Sequence, residues 1–198
     1  MAAGRGVGVV GIVAVLRRPQ ARSDLDRRVL EQISLASGSR ARAWWGTPVR
    51  SLIRLATVTP WGDKVFLVAF RPPSRASFER VLARLGFSPA VRRRDLKRLA
   101  WRGYAVGMVV LGEGGSCCDS VASIEAGAAA FESGPSPNTV VLVVPDGVAK
   151  VTVQLHPLVR AIVRNNIAAF VVQQPVENLS LGKMVWYGPT GAIVKRIG

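Results

Sequence analysis

The stretch TVVLVVPDGVAKVTVQL, residues 139–155, decides the fold class. Its first half is a continuous apolar run, which is typical of a buried strand. Pro145-Asp146-Gly147 then predicts a hairpin turn, because glycine tolerates a positive φ. In the second half, apolar side chains alternate with polar ones, as in a strand with one buried face: Ala149, Val151, Val153 and Leu155 against Lys150, Thr152 and Gln154. The stretch therefore predicts a β-hairpin.

Three more strands are predicted downstream of this hairpin. IAAFVV (167–172) follows a bend at Asn165-Asn166, and residues 183–187 and 192–197 flank a glycine-rich turn. Five short strands at this spacing predict an antiparallel β module, similar to a small sandwich, over residues 139–198. Because so small a unit buries little surface, we expect it to pack on the preceding part of the chain.

The preceding part predicts a basic α/β lobe over residues 21–133, so the fold class is α+β. Its predicted elements are a helix over 23–38 capped by Ser23 with Asp26, strands over 49–58 and 64–70 joined by a turn, a helix over 77–85 capped by Ser77, a second helix over 89–102, a strand over 104–111 and a helix over 117–131. SGPSPN (133–138) is the clearest boundary between the two parts.

The N-terminal segment, residues 1–20, contains an apolar run over 7–16 that is closed by Arg17-Arg18-Pro19. This run is about half the ~20 residues needed to cross a bilayer. It is as long as the core of a signal peptide, but no small-x-small cleavage site follows it. A first buried strand is the favoured interpretation, and a residual export signal is the alternative.

Charge is distributed unevenly along the chain. Residues 1–112 carry 21 Lys/Arg against 6 Asp/Glu, which accounts for the whole formal net charge of +15, while residues 113–198 carry 6 of each. A surplus of this size indicates an anionic partner, such as nucleic acid, anionic lipid or an anionic wall polymer.

The helix predicted over 89–102 concentrates that charge. Its candidate polyanion contacts are Arg92, Arg93, Arg94, Lys97, Arg98 and Arg102. Together with the preceding helix it has the outline of a helix-turn-helix, although no Asn, Gln, Ser or Thr accompanies the arginines as recognition helices usually require. The structural alternative is that this helix is merely exposed to solvent along its charged side. Trp44, Trp45 and Trp61, beside predicted turns, are candidates for exposed binding anchors or for covers of a core edge.

No catalytic constellation, metal site or cofactor motif stands out. The pattern Gly6-Val7-Gly8-Val9-Val10-Gly11 matches a dinucleotide fingerprint, but only five residues precede it, so no strand can position the loop, and Asp24 and Asp26 belong to a separate predicted helix. His156, the single histidine, has no partner at a recognised metal-ligand spacing. Cys117 and Cys118 are expected to be buried thiols or to pair with another chain, and a thiolate nucleophile with His156 is the weakest alternative.

Several segments are familiar as a set: AVLRRPQ (14–20), TPWGDKVFLV (59–68), VVPDGVAKVTV (143–153), RNNIAAF (164–170) and VWYGPTGAIVKRIG (185–198). The combination resembles a group of uncharacterised proteins of high-GC Gram-positive bacteria, many of them exported or membrane-anchored. These are strand and turn motifs without a catalytic residue. The resemblance therefore implies a fold type and an extracytoplasmic or membrane-associated location, not an activity.

We therefore expect a non-enzymatic binding or structural protein of the cell envelope. Its partners would be an anionic surface (wall polymer or lipid) or another protein, and a small molecule is not expected. A cytoplasmic nucleic-acid-binding protein that uses the helix over 89–102 is the second hypothesis. A hydrolase-like enzyme with a thiol nucleophile is the third.

Overall fold

The computed structural model describes residues 8–36, 46–90, 92–93, 104–133, 138–155, 157–172 and 183–198. Within these residues the chain forms two antiparallel sheets with a few short helices. The expected α+β class with a C-terminal antiparallel β module is confirmed.

The first sheet has four strands in sequential order. They are β1 (Thr47–Val58), β2 (Lys64–Arg71), β3 (Ala105–Val110) and β4 (Gly114–Asp119). β2 lies between β1 and β3, and its six residues from Val65 to Phe70 are buried, as the continuous apolar run predicts for a central strand. The turn between β1 and β2 is also as predicted, with Gly62 at a positive φ.

The second sheet has seven strands and makes up most of the C-terminal part. Its strands are β5 (Ala130–Ser133), β6 (Asn138–Val143), β7 (Lys150–Val153), β8 (Val159–Arg164), β9 (Ile167–Val172), β10 (Met184–Tyr187) and β11 (Ile193–Ile197). Their order across the sheet is β11-β10-β7-β8-β9-β6-β5. Only two residue pairs join β8 to β9 next to their turn, whereas six pairs join β6 to β9.

The helices are short. They are α1 (Val9–Ile12), α2 (Ala14–Arg17), α3 (Arg27–Ala36), α4 (Arg75–Arg84) and α5 (Val121–Glu125), with one 3₁₀ turn at Arg22–Leu25. Residues 89–90 and 92–93 are also helical. α1 and α2 occupy the N-terminal run, so the strand expected there is wrong, although the burial expected of it is present in Val9, Val13, Val15 and Leu16.

Three apolar clusters form the core. One joins the N-terminal run to one face of the first sheet and to β6 and β9 of the second. Another lies under the second sheet around Trp186 and Phe170. The third packs Val29 and Ile33 of α3 on the opposite face of the first sheet. Because the first cluster draws on both sheets, the C-terminal module packs on the rest of the chain as expected.

Five local predictions differ from the structure. The hairpin predicted over 139–155 is wrong: both strands and the turn at Gly147 are present, but β6 pairs with β5 and β9, whereas β7 pairs with β8 and β10. β8 was not expected. The helix predicted over 117–131 is replaced by the end of β4, the five-residue α5 and the start of β5. The boundary expected at 133–138 lies within a hairpin, because β5 pairs with β6. Helix caps are shifted: Ser74 rather than Ser77 accepts the capping hydrogen bond of α4, and Asp26 rather than Ser23 accepts a backbone hydrogen bond at the start of α3.

The Asp146 carboxylate ties the N-terminal run to the second sheet. Its Oδ1 accepts hydrogen bonds from the backbone N–H of Ala14 (2.6 Å) and from Nδ2 of Asn166 (2.9 Å), and its Oδ2 accepts one from Arg17 (2.6 Å). The Asp146 N–H in turn donates to the Ile12 carbonyl (2.8 Å). The turn after β6 therefore fixes the chain between α1 and α2.

Asn165 and Asn166 complete this junction from the turn between β8 and β9. Both have positive φ values, 48° and 67°, which asparagine tolerates better than most residues. Asn166 Oδ1 accepts from the Val15 N–H, and Asn165 Nδ2 donates to the Ala56 carbonyl of β1. The junction thus joins the second sheet to both the N-terminal run and the first sheet.

Replacing Asp146 with Asn should lower the free energy of unfolding by about 2 kcal/mol at neutral pH, since charge-assisted hydrogen bonds are lost. Burial opposes ionisation of Asp146, but hydrogen bonds from Asn166, Arg17 and Ala14 outweigh it and lower the pKa. The difference between wild type and Asp146→Asn should therefore be complete above about pH 5 and shrink as pH falls through the folded-state pKa.

Urea denaturation of both proteins between pH 3 and pH 7 measures this difference. Glu79→Gln on α4 is the matched control, because Glu79 is exposed and forms no ion pair within the part of the chain described. A difference that stays constant over the whole pH range would contradict the role of the Asp146 charge.

Candidate functional site

The C-terminal half is neutral only on average. Residues 113–146 carry five Asp/Glu and no Lys/Arg, whereas residues 147–198 carry six Lys/Arg and one Asp/Glu. The separation does not show when charge is summed over residues 113–198 as a whole. β7, β8, β10 and β11, which are adjacent in the second sheet, contain no acidic residue at all.

The pairing register places most of these cations on one face. Arg160 lies opposite Thr152, Thr152 opposite Val185, and Val185 opposite Arg196, so these four residues form one row across four strands. Since side chains at positions i and i+2 of a strand share a face, the neighbouring row contains Ile162, Lys150, Tyr187 and Ile193. Arg164 extends the same face at the end of β8.

We call this surface the basic face, defined by Lys150, Arg160, Arg164 and Arg196 with Ile162 and Tyr187. The three arginines are exposed, and Ile162 is 67% exposed, which is unusual for an isoleucine in a strand. None of the four cations forms an ion pair with a carboxylate in the described ranges.

Lys150 and Tyr187 are in direct contact on the basic face. The Lys150 Nζ lies 4.1 Å from the centre of the Tyr187 ring, a cation–π distance. The ammonium group is thereby held above the sheet on one side of the ring. This contact fixes a positive charge in the row that also contains Ile162.

The sequence-predicted basic helix lies only partly within the structure. Arg92 is half-buried, and its Nε forms no hydrogen bond with the described residues, whereas Arg93 is exposed. Arg94, Lys97, Arg98 and Arg102 lie outside the described residues. The structure therefore does not test most of this helix as a polyanion contact.

The predicted aromatic anchors have similarly mixed outcomes. Trp61 is 37% exposed at the tip of the hairpin between β1 and β2. Trp44 and Trp45 lie outside the described residues. Tyr187, which the sequence analysis did not select, is the aromatic residue on the basic face.

The candidates for catalysis and cofactor binding lie partly outside the described residues. Cys117 and Cys118 belong to the β4 backbone, and His156 lies outside the described residues. Gly8 precedes the four-residue α1, which is not the long helix that the dinucleotide fingerprint needs. Among the residues described, no three His, Cys, Asp or Glu side chains are grouped to hold a metal ion.

A polar cleft of about 530 Å³ lies between α3 and the turns that follow β1 and β3. Its charged lining residues are Asp26, Arg28, Asp63 and Lys64, two of each sign. A backbone hydrogen bond from Arg28 and a side-chain hydrogen bond from Lys64 (3.2 Å) lower the pKa of Asp26. Because its charges are balanced, the cleft has no net attraction for an anionic partner.

No protein family, curated protein or solved structure matches this chain. Of the helices described, none combines the length and the apolar character needed to span a bilayer.

Asp119, at the end of β4, is a titratable group that the sequence analysis did not select. Burial raises the pKa of its carboxyl to about 6. The folded state therefore holds this proton more tightly than the unfolded chain, in which an aspartate titrates near ~3.9. The bound proton's contribution to folding stability is complete below about pH 4 and is lost as pH rises through about 6.

Asp119→Asn should consequently be more stable than wild type at pH 8, by about 2–3 kcal/mol, and nearly equal to it at pH 4. Urea denaturation at the two pH values measures this change. Asp63→Asn, at the turn after β1, serves as the control for removal of one carboxylate. Equal stability of wild type and Asp119→Asn at pH 8 would show that the carboxyl is not desolvated.

Proposed function

We propose that this protein is a non-enzymatic binding protein of the cell envelope, and that the basic face contacts an anionic surface. The observation that carries the proposal is the grouping of Lys150, Arg160, Arg164 and Arg196 on one face of a block of four adjacent strands. Three of these strands supply the cations, and none of the four contains an acidic residue. Each cation close to an anionic lipid surface contributes about 1 kcal/mol of binding free energy.

The shape of the basic face favours an extended anionic surface. Its charges lie on β7, β8 and β11, within a block of four adjacent strands about 4.8 Å apart, and so form a patch rather than a pocket. Ile162 lies among the arginines and adds exposed apolar area, which can be buried at the boundary between lipid headgroups and acyl chains. The envelope location is supported by the sequence resemblance to exported and membrane-anchored proteins.

Nucleic-acid binding by the helix over 89–102 remains the competing proposal. On the basic face, the Lys150 ammonium already covers one side of the Tyr187 ring, which leaves less aromatic surface for base stacking. The two proposals use different residues, so separate substitutions distinguish them.

The proposal predicts that Arg160→Gln, Arg164→Gln and Arg196→Gln together weaken binding to phosphatidylglycerol-containing vesicles by about 100-fold, from the loss of about 3 kcal/mol. Vesicle co-sedimentation at 0.1 M salt measures the affinity. The matched control is Arg75→Gln, Arg80→Gln and Arg84→Gln on the exposed side of α4, which removes the same charge elsewhere. The control should weaken binding less than threefold.

Equal losses in both triple variants would show that only net charge matters and would overturn the assignment to the basic face. In parallel, a 20-base-pair DNA duplex tests the competing proposal, because a helix-turn-helix binds in the major groove. Tighter binding to the duplex than to vesicles, lost on replacing the cations at 92–98, would favour nucleic acid. Fractionation of cells producing the native chain tests the location, and recovery only with cytoplasmic markers would overturn the envelope part.

A further inference from the structure

β11 is the terminal strand of the seven-stranded sheet. Within the described part of the chain only β10 pairs with it, so its outer edge presents unpaired backbone N–H and C=O groups. Four of its five residues are exposed, with Ile193 at 48% and Val194 at 55%. An exposed edge with apolar side chains is a template for a further strand.

Two features of β11 oppose pairing with a second copy of this chain. Lys195 and Arg196 would face the same cations across an antiparallel pair, and like charges opposite each other are unfavourable. The register also shifts between Trp186 and Tyr187, so that Val194 is an extra residue in a bulge, which limits regular edge-to-edge stacking.

The same cations select an acidic strand. Lys195 lies opposite Trp186, on the face that is turned towards the core, with its Nζ 6.0 Å from the Trp186 ring centre. Arg196 lies opposite Val185, on the outer face. Because successive side chains of a strand point to opposite faces, a strand that satisfies both cations has two adjacent acidic residues.

We infer that β11 binds an extended acidic segment of a partner protein by strand addition. Backbone hydrogen bonds along the free edge supply the attraction common to any strand, and the adjacent pair of carboxylates supplies specificity. β-branched residues beside the acidic pair would cover Ile193 and Val194. The edge shares Arg196 with the basic face, but strand addition is a different role from vesicle binding and needs neither Arg160 nor Arg164.

An eight-residue peptide, Val-Thr-Val-Glu-Glu-Val-Val-Thr with blocked ends, tests the inference against its Gln-Gln counterpart. Titration followed by amide hydrogen exchange should show binding of the Glu-Glu peptide and at least tenfold slower exchange of amides within Ile193–Ile197. The double variant Lys195→Glu with Arg196→Glu should bind the Glu-Glu peptide more weakly, by about tenfold or more. A Lys-Lys peptide should then bind that variant in its place.

The control Arg160→Gln with Arg164→Gln should leave peptide affinity within twofold, while weakening vesicle binding, so the edge and the basic face fail separately. If the double Glu variant does not fold, Lys195→Gln with Arg196→Gln gives the same comparison. The inference is overturned if the Gln-Gln peptide binds equally well, if exchange within β11 is unchanged on binding, or if β11 becomes protected by concentration-dependent dimerisation of the protein alone.

Discussion

The Asp146 carboxylate is the constraint on which the arrangement of the two sheets depends. It accepts hydrogen bonds from the N-terminal run and from Asn166, and its own N–H donates back to Ile12. Asn165 extends the junction to β1. The contacts from Asp146 to the N-terminal run and from Asn165 to β1 join residues more than 100 positions apart, and the hydrogen bond from Asn166 to Asp146 links the two sets. Since Val9, Val13 and Leu16 are buried behind the junction, the N-terminal run is a structural part of the core.

The same junction sets which side of the second sheet faces solvent. The turn after β6 and the turn after β8 are held by Asp146 and Asn166, and β7 and β8 pair next to them. A slip of one residue would turn Arg160, Arg164 and Lys150 towards the core, which their desolvation forbids. The basic face is thus a consequence of register: apolar alternation on the inner side determines that the cations collect on the outer side.

Much of the fold could be predicted because its strands follow simple patterns. The alternation over 149–155 and the apolar run over 64–70 both correspond to observed strands. β8 was missed because Ile162 lies on its exposed face and interrupts the alternation of polar and apolar residues. The helix predicted over 117–131 followed alanine content, but pairing of β4 with β3 outweighs that propensity, and Gly127 has a positive φ just after α5. The basic face was hidden because its cations are far apart in sequence and become neighbours only through strand order.

Arginine labelling with phenylglyoxal, read by mass spectrometry with and without phosphatidylglycerol vesicles, tests the central claim most directly, because it compares all surface arginines in one sample. Our account predicts that vesicles protect Arg160, Arg164 and Arg196, while Arg75 and Arg80 on α4 react at the same rate as in free protein. Protection of α4 or of Arg93, with Arg160 and Arg196 still reactive, would contradict the assignment of binding to the basic face.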